Sequence, residues 1–159
     1  MRQELREWED EIVQRLGLKR LRGRARRYRS PDGSTIYLKL SSRDDKSPEE
    51  ESHYFFGLPR RHFEVSTFTV LVCGYPTNCF VFPTRSADHK RRRLEGLSEL
   101  LDGAKEVGRG LGEIKANVWL RGQWSDNGIP ECSMTVGTGK SIAIDQYWER
   151  FDLIGGARW

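Results

Sequence analysis

The stretch Arg24-Ala25-Arg26-Arg27-Tyr28-Arg29-Ser30-Pro31-Asp32-Gly33-Ser34-Thr35-Ile36-Tyr37-Leu38-Lys39-Leu40 reads as a strand, a tight turn and a second strand. Pro31 presets φ for the turn, and Gly33 accepts the positive φ that such a turn requires. In the second strand Ile36, Leu38 and Leu40 alternate with Thr35, Tyr37 and Lys39, so one face is core and the other polar. A hairpin of this kind needs a sheet around it.

The chain supplies one on its C-terminal side. His53–Leu58, Phe68–Cys73 and Cys79–Phe82 are short apolar or aromatic runs, and the last two are joined as a hairpin by Gly74-Tyr75-Pro76-Thr77-Asn78. Ile114–Arg121 and Cys132–Val136 read as further strands. The segment 41–51 reads as a polar acidic loop, and 59–65 as a single helical turn. On the N-terminal side, 2–16 reads as a helix with Leu5, Trp8, Ile12 and Leu16 on one stripe and Gly17 as its stop. Ser86–Leu101 reads as a longer middle helix with Leu94, Leu97, Leu100 and Leu101 inward, and Asp145–Phe151 as a short C-terminal helix. The expected fold class is α+β: one domain over 1–159, with a mixed central sheet and helices packed against it.

Composition bounds the function. At 159 residues the chain is large enough to bury a core without disulfides or metal. Charged residues make up 31%, yet five Trp and seven Phe are too many for a disordered chain. Cys73, Cys79 and Cys132 are expected to be reduced and the protein cytoplasmic. The acidic amphipathic start does not read as a presequence, and no apolar run approaches a membrane span, so no membrane partner is expected.

The net charge of +4 is modest, but its distribution is not. Seven of the eleven residues from Lys19 to Arg29 are Lys or Arg, including Arg22, Arg24, Arg26, Arg27 and Arg29. Arg60, Arg61 and His62 form a second cluster, and His89, Lys90, Arg91, Arg92 and Arg93 a third. Acidic residues gather in the first helix and between Asp44 and Glu51. Arginine's planar fork suits phosphate oxygens, and segregated charge gives a polyanion a face to dock on. The expected partner is nucleic acid, DNA before RNA, with the three basic clusters as its contacts. Aromatic side chains can add base stacking: Tyr75 at a hairpin tip, and Trp119 and Trp124 flanking Arg121-Gly122.

Pro31-Asp32 followed by a strand carrying Lys39 resembles the metal-dependent nucleases of the restriction-endonuclease type, which place Pro-Asp, then (Asp/Glu)-x-Lys, with a Glu on a preceding helix. The succession Ile36–Ser42, Tyr54–Leu58 and Val70–Gly74 is similar to the strand order of that superfamily. The resemblance implies Asp32, Lys39 and Glu11, with Glu51 as an alternative acid, as the candidate catalytic set, and Mg²⁺ as its cofactor. Tyr37 stands where the second metal-binding carboxylate would be, so the expectation is a DNA-binding domain without catalysis and without cofactor. The wider pattern, ending in Tyr147-Trp148-Glu149-Arg150-Phe151-Asp152-Leu153, resembles small restriction and phage-defence domains. A divergent Mg²⁺-dependent endonuclease is the alternative, and a protein-interaction module whose acidic helix and basic strand face different partners is a third reading.

Two further motifs have plainer readings. Gly137-Thr138-Gly139-Lys140-Ser141 mimics the end of a phosphate-binding loop, but Met134 replaces its first Gly, which leaves a tight turn between strands. Cys73 and Cys79 lie too far apart for a usual zinc pair and no second pair accompanies them, so no metal site is expected.

Overall fold

The computed structural model describes residues 2–48, 50–74, 78–89, 91–104, 112–121, 131–136 and 139–154. Helix α1 (Arg2–Leu16) opens the chain. Its apolar stripe buries Ile12 and Leu16 fully, and Gly17, with φ of +64°, ends it. The Leu18 amide then donates to the Val13 carbonyl at 2.9 Å, which closes the last turn.

Nine of the described strands form two sheets where one was expected, and two more pair as a separate hairpin. The first contains β1 (Lys19–Arg20), β2 (Arg27–Arg29), β3 (Thr35–Ser41), β5 (Phe68–Cys73) and β6 (Cys79–Pro83), hydrogen-bonded in that order. It is mixed, because β3 and β5 run parallel while the other pairs are antiparallel. The second sheet orders β11 (Lys140–Ala143), β10 (Glu131–Val136), β9 (Glu113–Arg121) and β4 (Glu51–Pro59), all antiparallel. The parallel β3–β5 pair needs a crossover, and β4 with α2 (Arg60–Phe63) provides it by leaving for the second sheet.

Strand periodicity divides the core in two. Ile36, Leu38, Val70, Val72, Cys79 and Val81 point from the first sheet toward Ile12, Leu16 and Leu18. Tyr37, Leu71, Cys73, Phe80 and Phe82 point the other way, into a second core with Tyr54, Phe56, Leu58, Ala116, Val118 and Met134 of the four-stranded sheet. The five-stranded sheet is therefore covered on both sides, and its central strands read as continuous apolar runs. The four-stranded sheet buries only alternate residues, as the pattern along β9 shows.

The hairpin at Ser30–Ser34 forms as its residues dictate. Gly33 has φ of +90° and donates to the Ser30 carbonyl at 3.0 Å. Asp32 Oδ1 accepts from the Ser34 amide at 3.1 Å and from Ser30 Oγ, holding the turn from within.

Two expected helices are corrected. Over 86–101 there is a hairpin, β7 (Ala87–His89) with β8 (Arg92–Leu94), then the single turn α3 (Leu97–Leu100). Arg91 is left-handed at φ of +64°, and Gly96 is extended where an added Cβ would strike the Arg85 backbone, so no side chain fits. The leucines still turn inward, but from a strand and a helical turn. Asp145–Phe151 is likewise two short 3₁₀ turns, Asp145–Tyr147 and Phe151–Leu153. They are broken at Glu149 (φ of +47°) because the chain pairs there with β6: Trp148 bridges Phe80, and the Glu149 amide donates to the Cys79 carbonyl at 2.8 Å. This pairing covers an otherwise bare sheet edge. Gly139-Lys140-Ser141 lies where β11 begins its antiparallel return along β10, and residues 137–138 lie outside the described set. Cys73, Cys79 and Cys132 are buried free thiols. No helix among the described residues is long and apolar enough to cross a membrane.

Candidate nucleic-acid interface

The register of the first sheet decides where the basic side chains go. Arg27 is paired with Tyr37 and Arg29 with Thr35, so both arginines share the face that carries Tyr37 and Lys39. That face is roofed by the second sheet only as far as β4, its edge strand. Beyond that edge α2 brings Arg61 and His62 over β2 and β3. The His62 ring sits 5.7 Å from the Tyr37 ring. Arg27 fastens the connection, donating through Nε to Ser66 Oγ at 3.3 Å and through Nη2 to the Val65 carbonyl at 3.4 Å.

At the centre of this shelf is Lys39. Burial pulls its pKa below the ordinary lysine value and Arg26 adds to the effect, while the Glu113 carboxylate opposes them. Glu113 comes from β9 and lies across Gly57 of β4, where a Cβ on Gly57 would strike the carboxylate. Tyr37, also facing Glu113, has its phenol pushed up to about 12, first by burial and then by that carboxylate. His62 reports the local field. Burial and then the cations Arg61, Arg27 and Lys39 lower its pKa, with Glu113 alone working against them. The shelf thus combines Arg26, Arg27, Lys39 and Arg61 around Glu113, with Glu9 also on Arg26.

The sequence-derived candidates fall into distinct places. Arg22, Arg24 and Arg29 are exposed, and Arg27 and Arg61 join the shelf. Arg26 is shared: its Nε lies 3.2 Å from Glu9 of α1, which also accepts from Arg20 at 3.3 Å and from the Tyr28 hydroxyl. The acidic helix therefore partly neutralises the basic strand beside it, so the charge is less segregated than the sequence suggests. Arg60 is tied to Glu64 at 3.1 Å and lies over the Phe63 ring. Arg91, Arg92 and Arg93 are exposed on the β7–β8 hairpin, which His89 links to Asp152 at 3.1 Å. In the sheet, β3 and β5 separate β2 from β6, the strand leading into that hairpin. Lys90, Tyr75 and Trp124 lie outside the described residues.

The nuclease-type set does not assemble. Lys39 points to the sheet face opposite α1, which carries Glu11, and Glu11 pairs with Arg15 at 2.6 Å. Asp32 is at the hairpin tip before β3, engaged with Ser30 and Ser34. Glu51 pairs with Arg121 at the far end of β4. The carboxylate facing Lys39 is Glu113, which sequence spacing did not single out because it arrives from the other sheet. Among the described residues no three of His, Cys, Asp and Glu gather as a metal-ligand group.

Fold and shelf together define an α+β protein with two sheets about a shared core and an arginine–lysine cluster beside the edge strand β4. No family profile matches the sequence, and no curated protein and no solved structure matches it.

Proposed function

We propose that this chain is a non-catalytic nucleic-acid-binding protein, with DNA as the polyanion, and that the shelf of Arg27, Lys39 and Arg61 is its principal phosphate contact. The observation that carries the reading is the convergence of two basic clusters, distant in sequence, on a half-buried lysine. Charged groups so placed are costly to hold together and are relieved by an anion. Arg29 of β2, with the exposed Arg22 and Arg24 in the segment before that strand, adds positive surface. The β7–β8 arginines form a separate patch that adds non-specific attraction. A restriction or phage-defence setting rests on the sequence resemblance alone.

Electrophoretic mobility shift with duplex DNA at low and at physiological salt tests the proposal. The expected result is binding that weakens steeply with salt, because each neutralised phosphate releases counterions. Absence of a shift at low salt, or affinity indifferent to salt, overturns it.

A further inference from the structure

The outer face of the four-stranded sheet is the second surface with chemistry on it. Cross-strand register places His53 opposite Trp119 and Phe55 opposite Asn117, all on the side away from the core. The His53 and Trp119 rings stack at 4.2 Å with 22° between their planes. Both are fixed by polar partners: His53 Nε2 is 2.7 Å from Asn117 Oδ1, and Trp119 Nε1 donates to Thr135 Oγ1 at 3.2 Å. Phe55 stands beside them 48% exposed, although a phenyl ring loses free energy by facing water. The aromatic face and the basic shelf are linked at β4 by the Glu113 carboxylate. Gly57, two residues beyond Phe55 on the same side of β4, lies beneath Glu113, the carboxylate that faces Lys39 and Tyr37. Two residues of strand span roughly 7 Å.

From this juxtaposition we infer that the protein prefers single-stranded nucleic acid, stacking unpaired bases on Phe55 and the His53–Trp119 pair while the shelf holds the phosphates. The inference rests on the proposed function and deepens it. A ligand with flat aromatic groups and anions alternating along one chain matches both surfaces. A duplex offers the phosphates but hides its base faces. The pre-set rings lose little freedom on binding, and stacking of this kind tolerates any base.

The test compares fluorescence anisotropy of a labelled oligothymidylate with an abasic oligomer of equal phosphate count, an oligouridylate and a duplex. The oligothymidylate is expected to bind about tenfold or more tighter than the abasic strand. Phe55→Ala should remove most of that margin and leave abasic binding unchanged, and Phe55→Tyr should keep it. Circular dichroism confirms that each variant is folded. Oligouridylate binding like oligothymidylate assigns the platform to unpaired bases of either sugar, and loss with oligouridylate restricts it to DNA. Equal affinity for base-bearing and abasic strands, or duplex binding as tight as that of the oligothymidylate, overturns the inference while leaving phosphate binding intact. So does a margin that survives Phe55→Ala, or a concentration-dependent dimer that Phe55→Ala dissolves. Failure of every probe to bind overturns the proposed function and this inference together.

Discussion

His62 is the residue through which the shelf reports on itself. Its pKa is lowered by burial and by Arg61, Arg27 and Lys39, so an anion that neutralises those cations raises it again. Binding of DNA then favours the protonated ring, and affinity increases as the pH falls toward the lowered pKa of the free His62. An NMR titration of His62 with and without a short oligonucleotide checks this: the bound form should titrate at higher pH, and an unmoved pKa counts against the contact. The tyrosines give a second prediction of opposite pH range. Tyr28, Tyr37 and Tyr147 have phenols raised to about 12, in each case chiefly by burial. The unfolded phenol ionises near 10, so the folded chain holds more protons between about pH 10 and 12. The stability these groups provide is complete below pH 10 and is lost as the pH rises through 12. Absorbance of phenolate should therefore lag in the native protein at pH 11 and appear on denaturation. None of this was legible in the sequence, where Tyr37 is one polar-face residue and His62 one member of a basic triplet. Their surroundings come from β4, α2 and β9.

Elements were legible where local pattern and tertiary demand agreed. The alternation of Thr35–Leu40 buries Ile36 and Leu38 as expected, but Tyr37 on the face read as polar is buried too and Leu40 only half so; the first-helix stripe buries Ile12 and Leu16, with Leu5 and Trp8 half-buried. The turn at Ser30–Gly33 also follows its residues, and here the structure gives Asp32 a role. Its carboxylate holds two turn donors, so Asp32→Ala should lower stability by about 1 kcal/mol and leave DNA affinity unchanged. Chemical denaturation with a binding assay separates this from a catalytic part. The middle helix failed because leucine spacing at 94, 97, 100 and 101 fits a helical period as well as a strand followed by a turn. Gly96 decides between them, since a Cβ there would strike the Arg85 backbone. Gly96→Ala should thus destabilise by about 1–3 kcal/mol, more than a helix-favouring substitution at a helical site would allow. A mutant as stable as the native chain would argue for a different path through 86–101. The C-terminal 3₁₀ turns were obscured similarly, by a pairing of Trp148 with Phe80 that no local propensity encodes.

At the scale of the molecule, composition and strand count carried the α+β class but not the division into two sheets. Whether a strand joins one sheet or another depends on long-range pairing, and β4 lies between β3 and β5 in sequence but pairs with β9 instead. That division is what opens the edge at which Arg27, Lys39, Arg61 and Glu113 meet. The basic clusters of the sequence are not one face in the structure: Glu9 occupies Arg20 and Arg26, and the third cluster sits on its own hairpin. The shelf therefore outranks the hairpin as a phosphate contact, a ranking that can be measured. Duplex binding as a function of salt should be compared for the native chain, an Arg27→Ala/Arg61→Ala double variant and an Arg92→Ala/Arg93→Ala double variant. The slope of log affinity against log salt should fall in magnitude by about two for the first and by less than one for the second. A shelf variant that binds like the native chain, or a hairpin variant that loses more, would contradict the placement of the phosphate contacts on Arg27, Lys39 and Arg61.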